Sequence, residues 1–143
     1  MKGDRIPDPD HISRSCRPMQ APEGQIQATA FMLRLDEEYL SVNWLEYFDC
    51  SSRVQEINEI RNVYAEKLNV GKRAKIAILN VGEIREKVLT ESPDKRNIEV
   101  LHSPIENDVH DPSHGGIYNL KQDDELIAEL ILETVHETHS ARP

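Results

Sequence analysis

AKIAILNV, residues 74–81, places apolar side chains at consecutive positions, among them Ile76, Ala77, Ile78 and Leu79. Successive side chains of a β-strand point to opposite faces. The segment is therefore expected to be apolar on both faces, as a central strand with both faces covered must be. Gly82 follows and opens a short helix over Glu83–Leu89, with Ile84 and Val88 turned inward. A covered central strand running straight into a helix implies a sheet with helices packed on it.

The flanking segments extend that sheet. EYLSVNWLEYF (Glu38–Phe48) is rich in aromatic and branched residues and reads as a strand. By period two, Leu40, Val42, Trp44, Glu46 and Phe48 share one face, so Glu46 is a carboxylate among apolar neighbours. Ser41, Asn43, Leu45 and Tyr47 share the other. QIQATAFMLR (Gln25–Arg34), DHISRSC (Asp10–Cys16), NIEVLHSP (Asn97–Pro104) and IYNL (Ile117–Leu120) are also expected as strands. Ser52-Arg53-Val54-Gln55 matches a capping box. The helix it starts carries Val54, Ile57, Ile60, Tyr64 and Leu68 at helical spacing and stops at Asn69-Val70-Gly71. Asp123 or Asp124 caps a last helix with Leu126, Ile127, Leu130, Ile131 and Val135 as its apolar stripe. The expectation is a single α+β domain with a mixed or antiparallel sheet of about five strands and three helices. Residues 1–9 read as an N-terminal arm, 10–138 as the domain and 139–143 as a tail.

Composition narrows the function classes. The chain has 143 residues, 38% hydrophobic and 30% charged, which suits one folded domain. No apolar run approaches the ~20 residues that span a bilayer, and the N-terminus has no signal-like apolar stretch, so a cytoplasmic protein is expected. Cys16 and Cys50 fit no disulfide or zinc pattern. The formal net charge of −9 disfavours nonspecific nucleic-acid binding and would attract a basic partner protein. Local exceptions are Arg14 with Arg17, and Lys72, Arg73 and Lys75.

The chemistry-bearing candidates are few. DPSHGGI (Asp111–Ile117) reads as a loop that presents His114 beside two glycines, with Asp111 closing an Asx-turn. His11 and Arg14 lie on the first strand, where an arginine can clamp phosphate. Ser41 and Asn43 share a face and can hold a ligand amide, and Glu46 is a candidate carboxylate. His102, Asp108, His110, Asp111 and His114 suit a transition metal by ligand type, without a recognised spacing. His136 and His139 in HETH read as a fraying end, and Asp36-Glu37-Glu38 as a solvated turn. No nucleophile elbow, phosphate-binding P-loop or dinucleotide glycine fingerprint is present.

HISR, YLSVNW, the helix from Ser52, KIAILNV and PSHGGI, in that order, resemble the segments of small bacterial ADP-ribosyltransferase-like domains. AKIAILNVGEIREKVLTE followed by PSHGGIYNL is similar to the core strand, short helix and late histidine segment of that class. The resemblance spans about residues 10–135 and implies NAD as ligand. Arg14 or His11 would then hold the dinucleotide phosphates or ribose, Ser41 would flank the nicotinamide, and His114 would close the pocket. The chain departs from the class in carrying Ser-Val-Asn on the second strand. At the late carboxylate position it offers only Glu106 or Glu125 as candidates. Two rival readings stand beside this one. One is an accessory or immunity-type protein that binds a partner through an acidic surface. The other is a metal-dependent hydrolase built on His102, His110 and His114.

Overall fold

The computed structural model describes residues 3–68, 70–105 and 110–143. Asn69, Glu106 and Asp108 of the sequence reading lie outside them. Six strands form one antiparallel sheet: β1 (His11–Cys16), β2 (Leu40–Trp44), β3 (Lys75–Asn80), β4 (Glu99–His102), β5 (His114–Tyr118) and β6 (Glu137–Ser140). Their spatial order is β4-β5-β2-β1-β3-β6. Three helices accompany them: α1 (Arg53–Lys67), α2 (Val81–Glu91) and α3 (Glu125–Leu132). The α+β expectation holds, with one strand more than the five foreseen. No helix among the described residues is long and apolar enough to cross a membrane.

β3 behaves as its sequence dictates. Ala77 and Leu79 join the larger core, beneath α2, α3 and a 3-10 turn at Ala28–Phe31. Ile76 and Ile78 face the other way, against Ile57, Ile60 and Tyr64 of α1. Each helix start is capped by a short polar side chain: Ser52 accepts from the Gln55 amide, Asn80 from Glu83 and Asp124 from Ile127. The reciprocal arm of the expected capping box differs. Gln55 Oε1 accepts from the amide and hydroxyl of Ser51 instead of reaching Ser52. The buried stripes are narrower than expected, because Val54, Leu68 and Leu126 are exposed.

Four expectations are corrected. Gln25–Arg34 is not a strand: it crosses the larger core as a 3-10 turn, where Ala30 and Phe31 are buried in succession. Two consecutive buried side chains break the period-two pattern a half-covered strand needs. β2 stops at Trp44, and Glu46–Phe48 form a 3-10 turn, so Glu46 leaves the apolar face that a continued strand would have given it. DPSHGGI is not all loop: β5 begins at His114, and both glycines lie in the ladder between β2 and β4. They are needed there for room, not for a left-handed turn. A Cβ on Gly115 would lie 2.7 Å from the Leu101 carbonyl oxygen, and one on Gly116 2.6 Å from the Tyr39 ring. Finally, the expected C-terminal tail, residues 139–143, is partly β6, which pairs with β3 and is followed by the buried Ala141. The outer edge of β3 has backbone groups to satisfy, and a polar segment can do so as well as an apolar one. The N-terminal arm is likewise ordered: Ile6 donates to the Val100 carbonyl and is buried.

Two buried acids give the fold a pH signature. Cys16 is fully buried in the larger core, which pushes its thiol up to about 11, and burial raises the Tyr64 hydroxyl as well. Above the unfolded thiol's pKa the unfolded chain releases a proton that the native state retains, so stability must fall as pH rises. Cys16 alone is expected to cost about 3 kcal/mol between ~pH 9 and ~pH 11. Urea midpoints measured at pH 8, 9.5 and 11 should decline in that order, and Cys16→Ala should flatten the decline.

Candidate functional site

The sheet is split between β1 and β2. The two strands pair only at Ile12 with Trp44 and at Ser13 with Asn43. Beyond that point β1 follows β3 as far as Cys16 opposite Lys75, while β2 follows β5 as far as Leu40 opposite Ile117. Arg14 fills the gap. Its Nε donates to the Ala30 carbonyl and its Nη1 to the Ser41 carbonyl, both at 2.9 Å. Burial lowers the guanidinium pKa from its ordinary value, yet arginine starts so high that it remains charged. Arg14 has no ion-pair partner among the described residues, and its Nη2 has no hydrogen bond there without being a buried orphan. Nη2 therefore keeps some accessible surface, and Arg14 borders open space.

The space is a cavity of about 440 Å³ over the split. Its floor includes Arg14, Ser15, Ser41 and Asn43, and Tyr64 and Leu68 from the end of α1 form one wall. Arg17, Arg34 and Glu37 stand at its rim. Neither Arg17 nor Arg34 forms an ion pair among the described residues. Three guanidiniums therefore meet one carboxylate, in a chain of net charge −9. An anion entering this cavity meets a field opposite in sign to that of the whole protein.

Below the floor runs a hydrogen-bonded chain of side chains. Ser41 Oγ lies 2.6 Å from His114 Nε2, and His114 Nδ1 lies 2.8 Å from the Ser103 carbonyl oxygen. A carbonyl only accepts, so Nδ1 carries the hydrogen. In the neutral ring Nε2 then accepts from the Ser41 hydroxyl. Asn43, opposite His114 in the ladder, donates through Nδ2 to the Asp111 carboxylate and to Ser113 Oγ. Ser113 Oγ donates to Asp111 in turn. Asp111, Ser113, Asn43 and His114 are all buried. Asp111 thus ties down the turn before β5 with its carboxylate on Asn43 and Ser113, where the sequence suggested an Asx-turn to the backbone.

No family model matches this chain, and neither does any curated protein or solved structure. The assignment of the site rests on geometry. Of the residues singled out from sequence, Arg14, Ser41, Asn43 and His114 come together. His11 and Glu46 do not join them. The Glu46 carboxylate takes the His11 amide at 2.7 Å and His11 Nδ1 at 2.8 Å, at the opposite end of β1 from the cavity. This pair locks the turn after β2 onto the start of β1. Glu46→Ala should cost about 1 kcal/mol in denaturant unfolding, a loss of the order expected for a partly exposed hydrogen-bonded pair. Glu125 is exposed at the start of α3 and does not line the cavity.

The histidines proposed as metal ligands do not share a site among the described residues. His102 Nε2 bonds to the Pro112 carbonyl, both nitrogens of His114 are engaged as above, and His110 is exposed. No group of three His, Cys, Asp or Glu side chains among the described residues is placed to hold an ion. His136 and His139 bond to Glu83 and Glu137. Sequence reasoning missed Glu37, which it left in a solvated turn, and Arg34, which it placed at the end of an expected strand over Gln25–Arg34. The clue was charge: Arg14, Arg17 and Arg34 are basic positions within a mainly acidic chain.

Proposed function

We propose that the protein binds a pyrophosphate dinucleotide of the NAD type in the cavity over Arg14 and cleaves its nicotinamide–ribose bond, as an ADP-ribosyltransferase-like enzyme. The observation that carries this reading is the convergence on one cavity of three arginines that form no ion pair among the described residues, with Ser41 lining the same cavity and hydrogen-bonded to His114. Guanidinium forks match phosphate oxygens in geometry and charge. The cavity, at about 440 Å³, is in the size range of small-molecule sites. Arg14, Ser41 and His114 also come from three of the five segments whose order carries the resemblance to that class.

Departure of nicotinamide leaves positive charge on the ribose, which a nearby carboxylate stabilises. Glu37 is the one carboxylate among the described lining residues and takes that role in place of the missing late glutamate. Its Oε1 accepts from the Arg34 amide, which fixes the carboxylate at the rim. Calorimetric titration with NAD tests the reading. Saturable heat that inorganic pyrophosphate competes away is the expected result. No heat at millimolar NAD overturns it.

A further inference from the structure

From the geometry beneath the cavity we infer that Ser41 is a nucleophile, with His114 as its base, and that it captures the ADP-ribosyl group released from NAD as a covalent adduct on Oγ. The inference rests on the NAD reading above and deepens it.

A nucleophilic serine needs a base in hydrogen-bond contact and a further group that orients the base. Both are present. His114 Nε2 is 2.6 Å from Ser41 Oγ, and the Ser103 carbonyl holds Nδ1 in its protonated form at 2.8 Å. The imidazole is 2% exposed, whereas Ser41 lines the cavity, so Nε2 meets the cavity through the hydroxyl. Ser41 Oγ makes no other hydrogen bond among the described residues, which leaves its lone pairs for a ligand. Its own carbonyl is held by Arg14, so the atom that would attack and the cation that would hold phosphate belong to one rigid unit. Tyr39 edges against the His114 ring at 5.8 Å and stacks on Tyr118 over Gly116, which fixes the imidazole from the other side.

The step balances without any further reactant. Nicotinamide leaves the anomeric carbon with the C–N bonding pair, as a neutral base. Ser41 Oγ gives a lone pair to that carbon and forms a C–O bond, and its proton passes to His114 Nε2. Water then attacks the same carbon and releases one proton to solvent. The Oγ–C bond breaks, and His114 returns its proton to Oγ.

The test is a time course with NAD, from milliseconds to hours, quenched under denaturing conditions and read by intact mass and peptide mapping. Wild type should carry one ADP-ribosyl group on Ser41 and release an initial burst of nicotinamide equal to the protein present. Ser41→Ala should lose the adduct and release nicotinamide at least ~100-fold more slowly, in line with the loss of an activated group. His114→Gln retains an acceptor for the hydroxyl but cannot take the proton. It should bind NAD and form no adduct, and it carries the test if Ser41→Ala fails to fold. Wild type that binds and hydrolyses NAD without an adduct on Ser41 overturns this inference and leaves the binding reading intact. A Ser41→Ala variant with the wild-type rate does the same. Wild type that shows no heat with NAD overturns the binding reading itself.

Discussion

Asp111→Ala should lower the stability of the protein by about 3–4 kcal/mol, because it strands two buried donors and opens a cavity. The carboxylate is fully buried and accepts from Asn43 Nδ2 at 2.9 Å and Ser113 Oγ at 3.1 Å. Once it is removed, the Ser113 hydroxyl and one of the two Asn43 amide hydrogens lose their buried acceptor. Asp111→Asn is the informative control. It preserves volume but turns an amide donor toward one of the existing donors, so about 1–3 kcal/mol should still be lost. Denaturant midpoints with unchanged m-values would measure both. A loss under 1 kcal/mol for the alanine variant would mean that the turn before β5 re-satisfies Asn43 and Ser113 by itself. The same variant should loosen His114, since β5 begins three residues after Asp111.

Arg14→Met should weaken NAD binding by about 10- to 100-fold, the value of one charged hydrogen bond to phosphate. Methionine fills similar volume, so the effect isolates the charge. Stability should move less and in a direction set by two opposing terms. The native state no longer buries a guanidinium that forms no ion pair among the described residues, but the Ala30 and Ser41 carbonyls lose their donors. Arg14→Lys should bind almost as poorly as Met, because a single ammonium nitrogen cannot reproduce the planar fork that reaches the Ala30 and Ser41 carbonyls from two separate nitrogens while a third is presented to phosphate. Raising salt should weaken wild-type binding more than that of Arg14→Met. Equal affinities for wild type and Arg14→Met would remove Arg14 from the site and the phosphate subsite with it.

These two residues also show what was legible in the chain. Arg14 was visible as an arginine on an early strand, and DPSHGGI as an unusual setting for a histidine. The role of Asp111 was not visible, because its partner Asn43 lies 68 residues away. Glu46 misled for a local reason. Extending the β2 pattern past Trp44 put it on the apolar face and made it look functional, whereas the chain turns there and the carboxylate caps the start of β1. Glu37 was hidden among neighbouring acids that a solvated turn explains equally well.

The sequence by itself determined the central strand, the three helices, the caps of the first and last of them, and the α+β class. Each of these is written in local periodicity and capping chemistry, which act over a few residues. The tertiary structure alone decided the rest. It split the sheet beyond Ser13 and Asn43, drew Arg17, Arg34 and Glu37 to the rim of one cavity, set Ser41 against His114 and added β6 to the edge of β3. Strand register fixes all of these contacts. Register is settled only when segments far apart in the chain compete to bury the same faces and satisfy the same backbone groups.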